Sequence, residues 1–166
     1  MAEKDTVFKG KLKQAGIFDF NEFYSFAYDW LRSEDYSVTE SVYSEKVAGE
    51  AKDVDISWEA KKKISDYFEF IIKVDWKILG MKKIKVKKED KEVNMNSGLV
   101  EIKFFASLVK DHENKWEDHP FWKFLRGIYD RYIIRSRIDS YEDKLIEETE
   151  ELIAQAKSFL AIEAKH

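Results

Sequence analysis

The chain has 166 residues, 44% of them hydrophobic and 15% aromatic, with a net charge of −4. A single domain of this size buries roughly two-thirds of its unfolded surface, and 12 Phe, 8 Tyr and 5 Trp exclude a polar, unstructured chain. Having no cysteine excludes disulfides, thiolate metal sites and cysteine nucleophiles together, and fits a reducing cytoplasm.

Lys4 to Gln14 alternates as a strand, with Phe8, Gly10 and Leu12 on one face and Lys9, Lys11 and Lys13 on the other, ended by Gly16. Asp19 with Glu22 forms a capping-box start for a helix. Phe18 and Phe23 are spaced as a staple across that start. Phe23, Phe26, Ala27, Trp30 and Leu31 give the helix one buried face, and it ends near Ser33 to Asp35.

Strands follow. Tyr36–Val47 is one candidate, and Val54, Ile56, Trp58 and Ala60 mark a second, half-buried strand. Phe68, Phe70, Ile72, Val74, Trp76 and Ile78 give the clearest alternation in the chain, closed by Gly80. Lys82–Lys88 and Lys91–Met95 read as a hairpin about Glu89 and Asp90, with a turn at Asn96-Ser97-Gly98. Val100, Ile102, Phe104, Ala106 and Leu108 form the last strand. Alternation with one solvated face and short turns implies an antiparallel meander of five to seven strands.

Pro120 suits the first turn of a helix, and Phe121, Phe124, Leu125, Ile128 and Tyr132 continue at helical spacing. Ser140 with Asp143 offers a second start, before Leu145, Leu152, Ala156 and Phe159. The expectation is a long C-terminal helix broken or bent near Asp139. A single helix of about forty residues would reach some 60 Å and overhang the domain. The fold class is therefore α+β: an antiparallel meander sheet with one N-terminal helix and a long or broken C-terminal helix packed on it. The whole chain forms one domain, with 139–166 as its helical extension.

Charge is laid out in blocks. Residues 1–60 carry 7 basic against 13 acidic side chains, 61–138 carry 19 against 12, and 139–166 carry 3 against 8. Four of the five arginines, Arg126, Arg131, Arg135 and Arg137, fall within twelve residues. On a helix Arg126 and Arg137 lie about 20° apart, and Arg131 and Arg135 about 40° apart on another side. Guanidinium is a planar fork for carboxylate or phosphate, in a chain that otherwise uses lysine. The plainer reading is internal pairing with Asp130 and Asp139, each four residues on.

Lys83, Lys85 and Lys87, with Lys82, Lys88 and Lys91, crowd the hairpin, and Lys73 and Lys77 lie on the strand before it. Such a patch attracts phosphate backbones and anionic lipid, whereas lysine also protects a sheet edge from pairing. The hairpin has no aromatic residue on which a single-stranded base could stack. The stretch 111–119 holds His112 and His119 among four carboxylates, a spacing that matches no ligand pattern, so no metal is expected. No P-loop, G-x-G-x-x-G or ordered nucleophile–base set is present, and no catalytic residue or cofactor is assigned.

The element order resembles the helix-grip arrangement of START-like lipid and small-molecule binding proteins, over roughly residues 5–138 and in topology alone. The helical segment after Asp139 departs from it. The resemblance implies a ligand cavity between Trp58, Phe70, Trp76, Phe104 and the face of Leu125 and Ile128. Three expectations result. The first is a cytoplasmic, non-enzymatic binding or assembly module that meets a protein partner or a second copy through the arginines. The second is a carrier of an apolar small molecule or lipid, and the third a phosphate-directed binder of nucleic acid or a membrane surface through the lysines.

Overall fold

The computed structural model describes residues 3–110, 120–128 and 135–163. Elements run β1 (Glu3–Phe18), α1 (Phe20–Ser33), β2 (Ser37–Ala48), β3 (Ala51–Lys63), β4 (Phe68–Lys88), β5 (Lys91–Lys110), α2 (Pro120–Ile128) and α3 (Arg135–Glu163). The strands form one antiparallel sheet in the order β1-β5-β4-β3-β2, so the first strand closes against the last and β2 lies at the far edge.

One face of the sheet is apolar because the alternation holds residue by residue. Val54, Ile56, Trp58 and Ala60 of β3, Ile72 to Ile78 of β4 and Val100 to Leu108 of β5 are buried at every second position. On this face lie α1, through Phe20, Phe23, Ala27 and Leu31, and α3, through Leu145, Leu152, Ile153, Ala156 and Leu160. The cap of α1 is the expected one: Glu22 N donates to Asp19 Oδ1 at 3.2 Å. From the sheet, Asn96 Oδ1 accepts a second orphan N–H, that of Phe20, at 2.9 Å. α3 fits against β1 because Gly10 has no side chain. A Cβ there would stand 2.5 Å from Ile153 Cδ1.

Three glycine signals read as strand ends lie within continuous strands. β1 runs through Gly16, β4 through Gly80 and β5 through Gly98, and Gly16 pairs with Gly98. Between the pairs Lys52↔Met81 and Val54↔Ile78, β4 spends two residues against one on β3, a β-bulge with Gly80 at φ 61°. Gly80 N donates to Asp53 Oδ1 at 2.9 Å, so the freed amide keeps a partner. At Gly98 the backbones crowd: a Cβ would meet Leu79 O at 3.1 Å and Met81 Cα at 3.2 Å. Glycine and asparagine permit a bulge for the same steric reason that they permit a turn, which is why the local signal is ambiguous. Among the described residues the sheet therefore has five strands.

At the C-terminus the expected break near Asp139 is absent. Asp139 lies inside the first turns of α3, and Ile138 and Tyr141 on either side pack against the core, so the helix has reason to continue through it. The segment folds back on the sheet. Its Glu148 accepts from Lys62 Nζ on β3 at 2.7 Å and from the Tyr36 hydroxyl at 2.7 Å.

Candidate functional site: a lysine ribbon and the groove at its base

β4 and β5 are longer than their neighbours. The last pair of β3 with β4 is Lys52↔Met81, and the last pair of β1 with β5 is Phe18↔Asn96. Beyond them Lys82–Met95 continues as a two-stranded ribbon, closed by Glu89 and Asp90 at φ 50° and 64°. Two successive positive φ values are the geometry of a tight hairpin turn, here built from residues with a Cβ.

The ribbon reverses the polarity of the sheet. Asn96 has the parity of Val100 and Ile102 and bonds α1, so it lies on the helix-bearing face. Opposite it is Lys83, followed on the same face by the pairs Lys85↔Asn94 and Lys87↔Glu92. The other face carries Ile84↔Met95 and Val86↔Val93, with Met95 buried. Apolar residues thus occupy even positions of β5 from Val100 onward and odd positions from Met95 back, and the phase changes across Ser97, Gly98 and Leu99. The ribbon carries six lysines against three acids. Lys83, Lys85 and Lys87 are exposed, and among the described residues none of them forms an ion pair.

At the base of the ribbon, where β3 ends and β4 goes on, lies a groove of about 630 Å³. Its cations are Lys52, Lys82 and Lys83, its one carboxylate is Glu50, and its apolar wall is Val47, Met81 and Ile84. Lys52 is shared with Glu45 at 3.0 Å, whose carboxyl is held below its usual range by that ammonium and then by the Tyr43 hydroxyl. Among the described residues Lys82 and Lys83 have no such partner. The volume falls in the range of small-ligand sites.

The lysines on the body of the sheet behave differently. On the face away from the helices, Asp55, Lys77, Glu101 and Lys13 lie side by side across four strands in alternating sign. Lys11 Nζ reaches Glu101 Oε1 at 3.3 Å and holds that carboxyl below its usual range, and Ser57 Oγ donates to Asp75 Oδ1 at 2.8 Å. Opposite charges on neighbouring strands attract weakly but consistently. The acidic and basic blocks of the sequence are thereby interleaved, and Lys73 and Lys77 belong to this surface rather than to the ribbon.

Arg135 and Arg137 are exposed at the start of α3 and form no ion pair among the described residues, so Asp139 does not neutralise Arg135. The Arg126 side chain, Arg131, and the histidine-bearing stretch 111–119 lie outside the described residues. Trp58, Trp76 and Phe104 do share a void, but α1 and α3 line its other side through Phe23, Leu31, Leu152 and Ala156. That void measures about 10 Å³, the space of a single water-sized sphere, and gives an apolar ligand no room. Phe70 is buried elsewhere, beside Tyr141 and Lys62, and Leu125 and Ile128 are half-buried on α2 and do not line the void.

Tight packing of rings accounts for the filled interior. Trp58 meets Trp76 at 4.9 Å and Tyr24 at 5.0 Å, and Phe23 meets Trp76 at 5.2 Å and Phe159 at 5.5 Å. Glu40 accepts from Trp58 Nε1 at 3.1 Å and from the Tyr24 hydroxyl, which ties β2 to the same cluster. Sequence reasoning missed Val47, Lys52, Met81, Ile84 and Asn96 as groove residues. The phase change of alternation between Met95 and Val100 was the available signal. Comparison with protein-family models, curated proteins and solved structures gives no match.

Proposed function

We propose that this chain is a binding module that takes an anionic partner on the ribbon Lys82–Met95 and in the groove at its base. The observation that carries the reading is the row Lys83, Lys85 and Lys87: exposed, without an ion pair among the described residues, on one face, and beside a groove lined by Lys52 and Lys82. An edge-protecting role needs only that lysines interrupt pairing; it does not call for a concavity with its own cations. Unpaired ammonium groups on a projecting element also steer anions from a distance, and an otherwise acidic surface sharpens that selectivity. Retention on immobilised heparin, a dense polyanion, tests it. The expected result is retention at low salt that falls steeply as salt rises, and is lost in Lys83→Ser/Lys85→Ser/Lys87→Ser. Flow-through of the unaltered protein at low salt rejects the proposal.

A second reading keeps Arg135 and Arg137 as a contact for an acidic partner protein. It is supported by their exposure and by the ion pair with Asp139 that fails to form. Arg135→Ser/Arg137→Ser then abolishes capture of that partner while heparin retention persists.

A further inference from the structure

Resting on the proposed anionic site, we infer that its partner is double-helical DNA, entered by the ribbon through the major groove. The ribbon projects past β3 and β1 as two strands only, so it has the cross-section of an element rather than of a sheet. The B-form major groove, about 12 Å wide and 8.5 Å deep, admits a two-stranded β-ribbon. Seven residues from Lys82 to Lys88 extend about 23 Å, enough to follow the groove over part of a turn.

The polarity reversal decides which face enters. One face presents Lys83, Lys85, Lys87, Asn94 and Glu92, all able to hydrogen-bond and none aromatic. Lysine reaches guanine O6 and N7, asparagine pairs with adenine N6 and N7, and a carboxylate accepts from cytosine N4. The opposite face, with Ile84, Val86, Val93 and Met95, is apolar and half-covered, and offers a groove floor only contact with thymine methyl groups. Lys82, Lys88 and Lys91 flank that apolar strip on the face turned away from the groove floor.

The same inventory argues against the other polyanions. Single strands are held by stacking on aromatic side chains, and the ribbon has none. The major groove of duplex RNA is too deep and narrow to admit side chains. Charge alone draws lysines to an anionic bilayer, but the ribbon lacks the Trp, Tyr or Phe that anchor an element at the headgroup level. The turn residues Glu89 and Asp90 oppose any polyanion, so their replacement is a gain-of-function variant.

The test is fluorescence anisotropy with a labelled mixed-sequence DNA duplex, the same sequence as one strand, and the same sequence as an RNA duplex. Sedimentation with phosphatidylserine vesicles and heparin retention run in parallel. The expected result is preference for the DNA duplex, with a log–log salt slope of about −3 to −5. Lys83→Ser/Lys85→Ser/Lys87→Ser weakens it by roughly tenfold or more, and Glu89→Asn/Asp90→Gly tightens it. Equal or stronger binding to the single strand, the RNA duplex or the vesicle overturns the duplex inference. So does absence of DNA binding in a protein that heparin retains, and this leaves the anionic site standing. Absence of heparin retention overturns both.

Discussion

Lys62 Nζ lies 2.7 Å from Glu148 Oε1, with each side chain only 13% exposed, and this pair ties α3 to β3. The Tyr36 hydroxyl donates to the other oxygen of the same carboxylate, and the Lys62 ammonium sits 5.0 Å over the Tyr36 ring. Glu148 of the acidic C-terminal block thus finds its partners in the sheet and in Tyr36, and among the described residues neither Arg135 nor Arg137 forms an ion pair. Removing one member leaves a sheltered charge without its counter-ion, which costs more than the pair contributes. Lys62→Met should therefore lower the unfolding free energy by about 2–4 kcal/mol, and Lys62→Met/Glu148→Leu should recover part of that loss. Urea titration measures both; a double variant that loses the sum of the two single losses contradicts the coupling.

Tyr36 also sets an alkaline limit. Burial first, and then its hydrogen bond to Glu148, pushes its phenol far above the ordinary tyrosine range, and burial with Glu40 pushes Tyr24 up to about 12. The folded protein therefore holds phenolic protons that the unfolded chain sheds above about pH 10. This contribution is complete below that pH and is lost as pH rises through 10 to about 12 and beyond. Urea midpoints from pH 8 upward should fall steeply in this window, and more gently in Tyr36→Phe. Parallel curves for the two proteins would remove Tyr36 from the explanation.

Gly10 marks where α3 meets β1. Gly10→Ala places a methyl 2.5 Å from Ile153 Cδ1, the tip of a side chain, so the loss should be about 1–3 kcal/mol and largely rescued by Ile153→Val. Gly98→Ala meets backbone, Leu79 O and Met81 Cα, and has no comparable rescue. Thermal unfolding of the three variants checks the ordering; Gly10→Ala with an unchanged melting temperature would place α3 elsewhere.

The filled interior makes its own prediction. With a void of about 10 Å³, the protein should bind no benzene or xenon, whereas Leu152→Ala should lose about 3–5 kcal/mol and gain a dry site for either. Ligand-induced stabilisation in differential scanning calorimetry reads this out. Benzene stabilising the unaltered protein would support a carrier.

Where one face is buried and the other wet, the fold is legible in the sequence, because burial enforces the alternation. β3 and the body of β4 show it, and the Asp19 cap of α1 follows from local geometry alone. Gly16, Gly80 and Asn96-Ser97-Gly98 mislead, since positive φ and close approach serve bulges as well as turns. Ser140 and Asp143 mislead at α3, because a cap signal yields when Ile138 and Tyr141 both gain burial by continuing the helix. The row Lys83, Lys85 and Lys87 is visible in the chain, but the groove is not. It arises from the difference in length between β3 and β4, a property of register that no single segment encodes.

The central claim is that the anionic partner meets the ribbon and its groove, not the start of α3. The most direct measurement is the amide chemical-shift map of the labelled protein titrated with inorganic polyphosphate. Saturable shifts are expected at Lys82–Met95, Val47 and Lys52, with those at Arg135 and Arg137 unmoved. Shifts centred on Arg135 and Arg137, with a silent ribbon, would contradict it.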